Sequence, residues 1–564
     1  MPYRTLMGSL LATGTWISLK GRLGRLLRLC PRAALPLSAV LLVQSVASLG
    51  LRNTAFRDEA LYLWAGRQIL HYWQGGPPNE TFENYFSGLP YFYPVIGGLL
   101  DALGGLEAAR LFSLCCMLWV TIAVYRCTKQ LYGSASAILS AALFACQSSV
   151  LFLGHFATYD AFCLALLALA TVVALRTNAR QGMLSGVRVG GLLMLAGAAK
   201  YAAILFVPVV LFLLVWRVRQ TTDWKRGFSA VGAAIGTFTV GVLVLLVLDG
   251  DLLAGLSRTT TSRHILGPAP RLVLAEQTVW LEGIFIVLAA LGLTVRPRGV
   301  HWPLSLMLFG SLLLAPAYHI YKTEYIALQK HIAFGLFFAS PLFGRAAMPL
   351  MNSAAQGLLL RRLRWGAVPA AYLAMLAMGF HQADQYYHQW PNSSGYVLAL
   401  RRLIQPGDQI LAEVVEVPRY YLQNEVSATQ WSNFAWFEYK DSRGRLLRGQ
   451  EAYQTAIAAG YFDVVLLHYD TDAAVDHAID KGLNSGEHYR LVVQQPYSWI
   501  WRKKSMAARP VDSVGFLYKI KARTMDELRL NDQQSEKDHD LKSENSCAGI
   551  ASGCLRWHDA TEGS

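Results

Sequence analysis

The chain has 564 residues, 54% of them hydrophobic and only 16% charged, with a formal net charge of +14. That balance is too apolar and too poor in charge for an ordinary soluble protein of this length. The Arg and Lys residues fall between apolar runs and form no basic stripe, which excludes a nucleic-acid-binding reading.

Residues 1–32 form a basic N-terminus, expected in the cytoplasm, with Arg22, Arg25, Arg28 and Arg32 ahead of the first apolar run. No small-residue cleavage site follows, so that run reads as an uncleaved span rather than a secretory signal. A bilayer core of about 30 Å needs roughly 20 apolar residues per helix. Such spans are expected at 33–51, 106–125, 135–153, 159–175, 187–199, 201–216, 228–248, 276–295, 302–318, 326–343 and 366–380, about eleven in all. Counted from the inside, they place every strongly basic short loop on one face: Arg126 with Lys129, Arg176 with Arg180, Arg217 through Arg226, Arg296 with Arg298, and Arg361 through Arg364. The parity closes only if the apolar run 190–216 breaks at Lys200.

The opposite face receives the first outer loop, 52–105, then 154–158, 249–275, 319–325 and everything after His381. Within the first loop, residues 56–65 have helical periodicity and are expected to lie flat at the interface. Residues 33–382 are therefore expected to form an all-α polytopic membrane domain. Residues 383–504 carry strand-like runs at 409–414, 462–467 and 489–501, which predict a small extracytoplasmic α/β domain. Residues 505–564 are polar and predict a disordered tail. Of the eight Cys, Cys30, Cys115, Cys116, Cys127, Cys146 and Cys163 lie in or beside apolar segments, which speaks against a disulfide framework.

The residues that could carry chemistry gather on the outward face. Asp58 and Glu59 follow the first span, where a carboxylate can take the proton of an acceptor hydroxyl; the same pair also suits a helix's first turn. Asp160 opens a wholly apolar stretch, a costly place for a charge, and reads as a functional or buried-partner residue or as a helix cap. His155, just before it, is a ligand or an interfacial histidine. Lys200 and Arg110 are cations set in apolar sequence, suited either to an anionic lipid phosphate or to snorkelling. Arg258, Arg263 and His264 break the positive-inside trend and suit a phosphate or a solvated loop. Tyr321 and Lys322 crowd a short outer turn and suit a sugar pocket or an aromatic belt. No Walker loop, dinucleotide fingerprint, zinc spacing or serine-hydrolase elbow occurs.

In this order the features resemble the GT-C membrane glycosyltransferases, in particular the dolichyl-phosphate-mannose protein mannosyltransferase superfamily and its bacterial aminoarabinose transferase relatives. The resemblance runs from about residue 33 to 344 and rests first on Asp58-Glu59-Ala60-Leu61-Tyr62, then on Tyr93-Pro94 through Arg110-Leu111, Ala157 through Ala161, and Lys200. It implies an inverting transfer of a sugar from a polyprenyl-phosphate donor to a glycan, lipid or protein acceptor, at an extracytoplasmic site in a multi-pass membrane protein. Asp58 would be the acceptor-side base and Asp160 a supporting residue. Some relatives bind a divalent metal; no ligands for one are assigned here, and no other cofactor is expected. The aromatic-rich stretch 85–93 departs from the Pro-rich segment common in the family. Two other readings compete: a transporter or lipid flippase, since intramembrane charges also mark substrate paths, and a scaffold that kept the membrane body without catalysis.

Overall fold

The computed structural model describes residues 34–503, apart from 78–81, 83–84, 178–181, 222–223, 260–267, 296–301, 353–357, 436, 470–472, 486–487 and 496–497. The expected tail therefore lies outside the described residues, as do Arg263 and His264.

A helix stands at each expected span. They are α1 (Ala34–Gly50), α3 (Tyr93–Tyr132), α4 (Ser134–Ala145) with α5 (Ser148–Leu153), α6 (Tyr159–Arg176), α7 (Gly182–Ala199), α8 (Val207–Thr221), α9 (Trp224–Leu248), α11 (Arg271–Thr294), α12 (Trp302–Lys322), α13 (Leu328–Asn352) and α14 (Leu358–Tyr387). Among the described residues, eight helices are long and apolar enough to cross a membrane, and the segments 35–50 and 134–145 are shorter apolar helices. Two further helices lie between spans, α2 (Arg57–Trp73) and α10 (Leu252–Thr259).

Local chemistry explains where the helices depart from uninterrupted runs. The expected span 135–153 is two helices because the Gln147 side chain turns back to accept the Val150 N–H at 3.2 Å, starting α5 afresh. Within α3, Gly105 adopts φ +68°, a conformation only glycine takes without strain, so the segment entering from residue 93 kinks just before the expected span begins. The break at Lys200 is present. Lys200 is extended between α7 and a 3₁₀ turn over Tyr201–Phe206, and the loop at 87–89 pins the break: Leu89 N–H donates to Ala198 O at 2.7 Å and Tyr201 N–H to Ser87 O at 2.8 Å. The break thus has its backbone groups satisfied by a second strand of chain, which an apolar environment requires.

Small residues let the helices approach. A Cβ at Gly186 or Gly190 of α7 would come within 2.1 or 2.2 Å of carbonyls at Ala230 or Ala234 of α9. In the same way α2 packs backbone to backbone on the first part of α3, where a Cβ at Gly66 would meet Pro94 O at 1.8 Å and one at Gly98 would meet Arg67 N at 2.6 Å.

Beyond α14 come α15 (Ser394–Leu403), α16 (Glu416–Tyr421), α17 (Gly449–Ala458) and α18 (Ala473–Asn484), with β1 (Ile410–Ala412), β2 (Trp431–Ser432), β3 (Glu438–Lys440), β4 (Leu446–Arg448), β5 (Val464–Leu467), β6 (Tyr489–Gln495) and β7 (Ser498–Lys503). The main sheet runs β2-β1-β5-β7-β6, with β1 parallel to β2 and β5, and β7 antiparallel to β5 and β6. The run expected as one strand at 489–501 is two antiparallel strands, β6 and β7. This region is fastened onto α2 and α3: Tyr420 Oη donates to Asp101 of α3 at 2.5 Å, Arg57 of α2 pairs with Glu416 at 3.3 Å, and the Arg419 guanidinium stacks 3.5 Å above the ring of Trp64 of α2.

Candidate active site

Four helix ends converge beneath that cap. Asp58 is the second residue of α2, Asp160 the second of α6, Lys200 directly follows α7 and Lys330 is the third of α13; Arg110 reaches in from within α3. Asp58 and Asp160 stand in the first turns of their helices and Lys200 just past the end of its own, where the free backbone N–H and C=O groups favour those charges and offset part of the cost of burying them.

The first constellation holds two carboxylates and two ammoniums. Lys330 Nζ donates to Asp58 Oδ2 at 2.8 Å. Lys200 Nζ donates to Asp160 Oδ1, and Thr158 Oγ1 donates to the other Asp160 oxygen at 3.0 Å. The two pairs are in electrostatic contact, since Lys330 acts on Asp160 as well as on Asp58. Their exposures differ in a way that decides access: the Asp160 and Lys200 side chains are 0% and 5% exposed, those of Asp58 and Lys330 33% and 13%. One pair is sealed and the other lies at the mouth. Aromatic rings line the join. Tyr62 stacks on Tyr159 at 4.6 Å, Lys200 Nζ lies 5.0 Å from the Tyr159 ring centre, and Lys330 Nζ lies 5.6 Å from that of Phe156. Burial, helped by Tyr159 and by the Asp58 charge, holds the Tyr62 phenol well above its ordinary range, so it remains a neutral hydrogen-bonding group.

The second constellation is a buried brace. Glu59, fully buried, accepts from Arg110 Nε at 2.9 Å and Nη2 at 2.8 Å, from Ala157 N–H at 2.8 Å and from Phe56 N–H at 3.0 Å. One side chain thereby caps α2, ties it to α3 and fixes the loop that leads to Asp160. Arg110 also donates to Asn53 O at 2.9 Å. His155 Nε2 meets Glu107 at 3.1 Å, and the Tyr387 hydroxyl donates to the His155 carbonyl. Burial, reinforced by the Arg110 charge and opposed by Glu107, holds the His155 imidazole below its ordinary value and therefore neutral. The segment before Asp58 is strapped from the far end of the chain: Trp390 Nε1 donates to Thr54 O at 3.0 Å, and Ala55 N–H donates to the Tyr421 hydroxyl at 2.8 Å.

Of the residues singled out from sequence, Asp58, Asp160 and Lys200 stand together in the first constellation, and Glu59, Arg110 and His155 in the second. Arg258 ends α10 on the surface, and Tyr321, 75% exposed, ends α12 beside a half-buried Lys322. Sequence reading passed over Lys330 because it falls inside the span expected at 326–343; an ionisable residue within a span is itself the signal that could have found it. Among the described residues, no three His, Cys, Asp or Glu side chains gather to hold a metal. Asp58 and Asp160 each pair with a lysine.

Residues 93–245 match the family described as dolichyl-phosphate-mannose-protein mannosyltransferase. No curated protein matches the chain by sequence. Among solved structures, ArnT from Cupriavidus metallidurans in the apo state is 15% identical with a TM-score of 0.57, the match covering 83% of this chain and 97% of that one. The same enzyme bound to undecaprenyl phosphate is also 15% identical at 0.57, covering 88% and 100%. The apo oligosaccharyltransferase of Archaeoglobus fulgidus is 11% identical at 0.51, covering 79% and 71%. The chain is thus a multi-pass integral membrane protein with the GT-C glycosyltransferase fold, and the segment that matches the mannosyltransferase family holds Arg110, Asp160 and Lys200.

Proposed function

We propose that the protein is an inverting glycosyltransferase that moves a sugar from a polyprenyl-phosphate donor to a glycan, lipid or protein acceptor at an extracytoplasmic site. The observation that carries this reading is the meeting of Asp58, Asp160, Lys200 and Lys330 at helix ends beside the bilayer, where a lipid-borne phosphate would present its head group. In the reaction, the acceptor atom attacks the anomeric carbon from the side opposite the phosphate. The bond from that carbon to the phosphate oxygen breaks, its electrons staying with the phosphate. Asp58 takes the acceptor's proton. The lysines stabilise the departing anion, and Asp160, held by Thr158, fixes the position of Lys200. Glu59, Arg110 and His155 are positioning residues that hold the Asp58 helix against the Asp160 loop. The basic short loops fall on the other face, which supports the extracytoplasmic assignment.

A fold shared with ArnT, which has been seen with undecaprenyl phosphate, supports a polyprenyl carrier. The test is transfer from a labelled polyprenyl-phosphate sugar by purified protein in lipid nanodiscs. Asp58→Asn is expected to lower the rate by about 10²–10⁴-fold, the usual worth of a general base. Full activity of that variant would remove Asp58 from the chemistry, and substrate crossing the bilayer without any transfer would favour the transport reading instead.

A further inference from the structure

We propose that Lys330 exchanges Asp58 for the donor's phosphate, so that the base is released for the acceptor only once the donor is seated. The inference rests on the transferase reading and adds to it an order of events. In the structure Asp58 Oδ2 accepts from the Lys330 ammonium at 2.8 Å, and an oxygen so engaged is not free to receive an acceptor's proton. The alternative cation, Lys200, is committed to Asp160 in a pair that is 5% and 0% exposed, and Asp160 also accepts from Thr158. Opening that pair would strand a buried carboxylate, at a cost that a surface pair does not carry. The Asp58–Lys330 pair, at 33% and 13%, is the one that a ligand can reach and open.

The exchange swaps one anion for another at Lys330. In the structure two carboxylates neutralise two ammoniums. A phosphate arriving at Lys330 replaces the Asp58 contact with one of the same sign, and Asp58 turns toward the space where the acceptor must lie. Lys330 is placed for this by its backbone: it is the third residue of α13, following Ala327 at φ +70°, so its side chain springs from a fixed turn instead of a mobile loop. The Phe156 ring 5.6 Å from its ammonium holds the cation in place whichever anion it meets. Without a donor the base stays masked, which guards against misdirected proton transfer.

The exchange makes an asymmetric prediction, because Asp58 competes with the phosphate and Lys330 binds it. Binding of undecaprenyl phosphate to the full-length protein in detergent micelles would be measured, with undecaprenol as the control that lacks phosphate. Asp58→Asn should bind undecaprenyl phosphate about tenfold tighter than the wild type, equivalent to about 1.4 kcal/mol. Lys330→Met should bind it at least about tenfold more weakly, and Lys330→Arg should keep most of the affinity. Each variant's thermal midpoint reports whether it is folded, and Asp58→Asn alone suffices should Lys330→Met not fold. Wild type that binds undecaprenyl phosphate and transfers sugar, with Asp58→Asn binding no tighter, overturns the exchange and leaves the transferase reading standing. Wild type that binds the phosphate no better than undecaprenol overturns both.

Discussion

Replacing Arg110 with methionine removes the cation of the buried brace while keeping much of its bulk. Glu59 would lose the donors at 2.9 and 2.8 Å and keep only the Phe56 and Ala157 amides, so a fully buried carboxylate would stand without a counter-charge. Breaking such a pair from one side costs about 3–5 kcal/mol. The double replacement Glu59→Leu with Arg110→Met removes both charges and leaves two amide donors unsatisfied, at about 1–3 kcal/mol for each, a total below the sum of the two single losses because no buried charge is left unpaired. Denaturant unfolding in micelles of the wild type, both single variants and the double variant closes a cycle, and the coupling between the two residues should exceed about 1.5 kcal/mol. The reasoning is refuted if Arg110→Met costs less than about 1 kcal/mol, or if the two single losses simply add.

Gly66→Ala should abolish folded expression, because its Cβ would lie 1.8 Å from Pro94 O and only separation of α2 from α3 could relieve it; a correctly folded, size-homogeneous variant would contradict this packing. His155 is held neutral in the fold while the unfolded chain titrates near its ordinary value of about 6.5, so below that pH the unfolded state takes up the proton first and stability falls as the solution is acidified. His155→Gln should flatten the dependence of the melting midpoint on pH below about 6.5, and an unchanged slope would remove His155 as its source. Glu282 sits buried within α11, and among the described residues neither carboxyl oxygen has a hydrogen-bond partner. Glu282→Leu is expected to raise stability by about 1–3 kcal/mol, read as a higher denaturation midpoint, and a drop would show that the carboxyl has a structural task.

The membrane body was legible because a bilayer imposes length and apolarity on every crossing, and positive charge marks one face. That constraint even located the break at Lys200, since the loop parity failed without it. Asp58 and Asp160 were visible for the related reason that charge beside an apolar run is expensive. What could not be read was who meets whom. Lys330 lies 272 positions beyond Asp58, and their contact depends on how α2 and α13 come together. Glu59 looks in sequence like a twin of Asp58, yet one residue along the first turn of a helix rotates a side chain by about 100°, which sends Glu59 into the core against Arg110 and leaves Asp58 at the mouth. Gly66 and Gly98 read as ordinary glycines until the helices cross.

The most direct test of the central claim is photo-crosslinking of an undecaprenyl phosphate analogue, its reactive group next to the phosphate, to full-length protein in nanodiscs, with the adducts mapped by mass spectrometry. The account predicts adducts on the peptides that hold Lys330, Lys200 and Asp58, competed away by undecaprenyl phosphate. Competable adducts confined to lipid-facing helices such as α9, with none near Lys330 or Asp58, would contradict it.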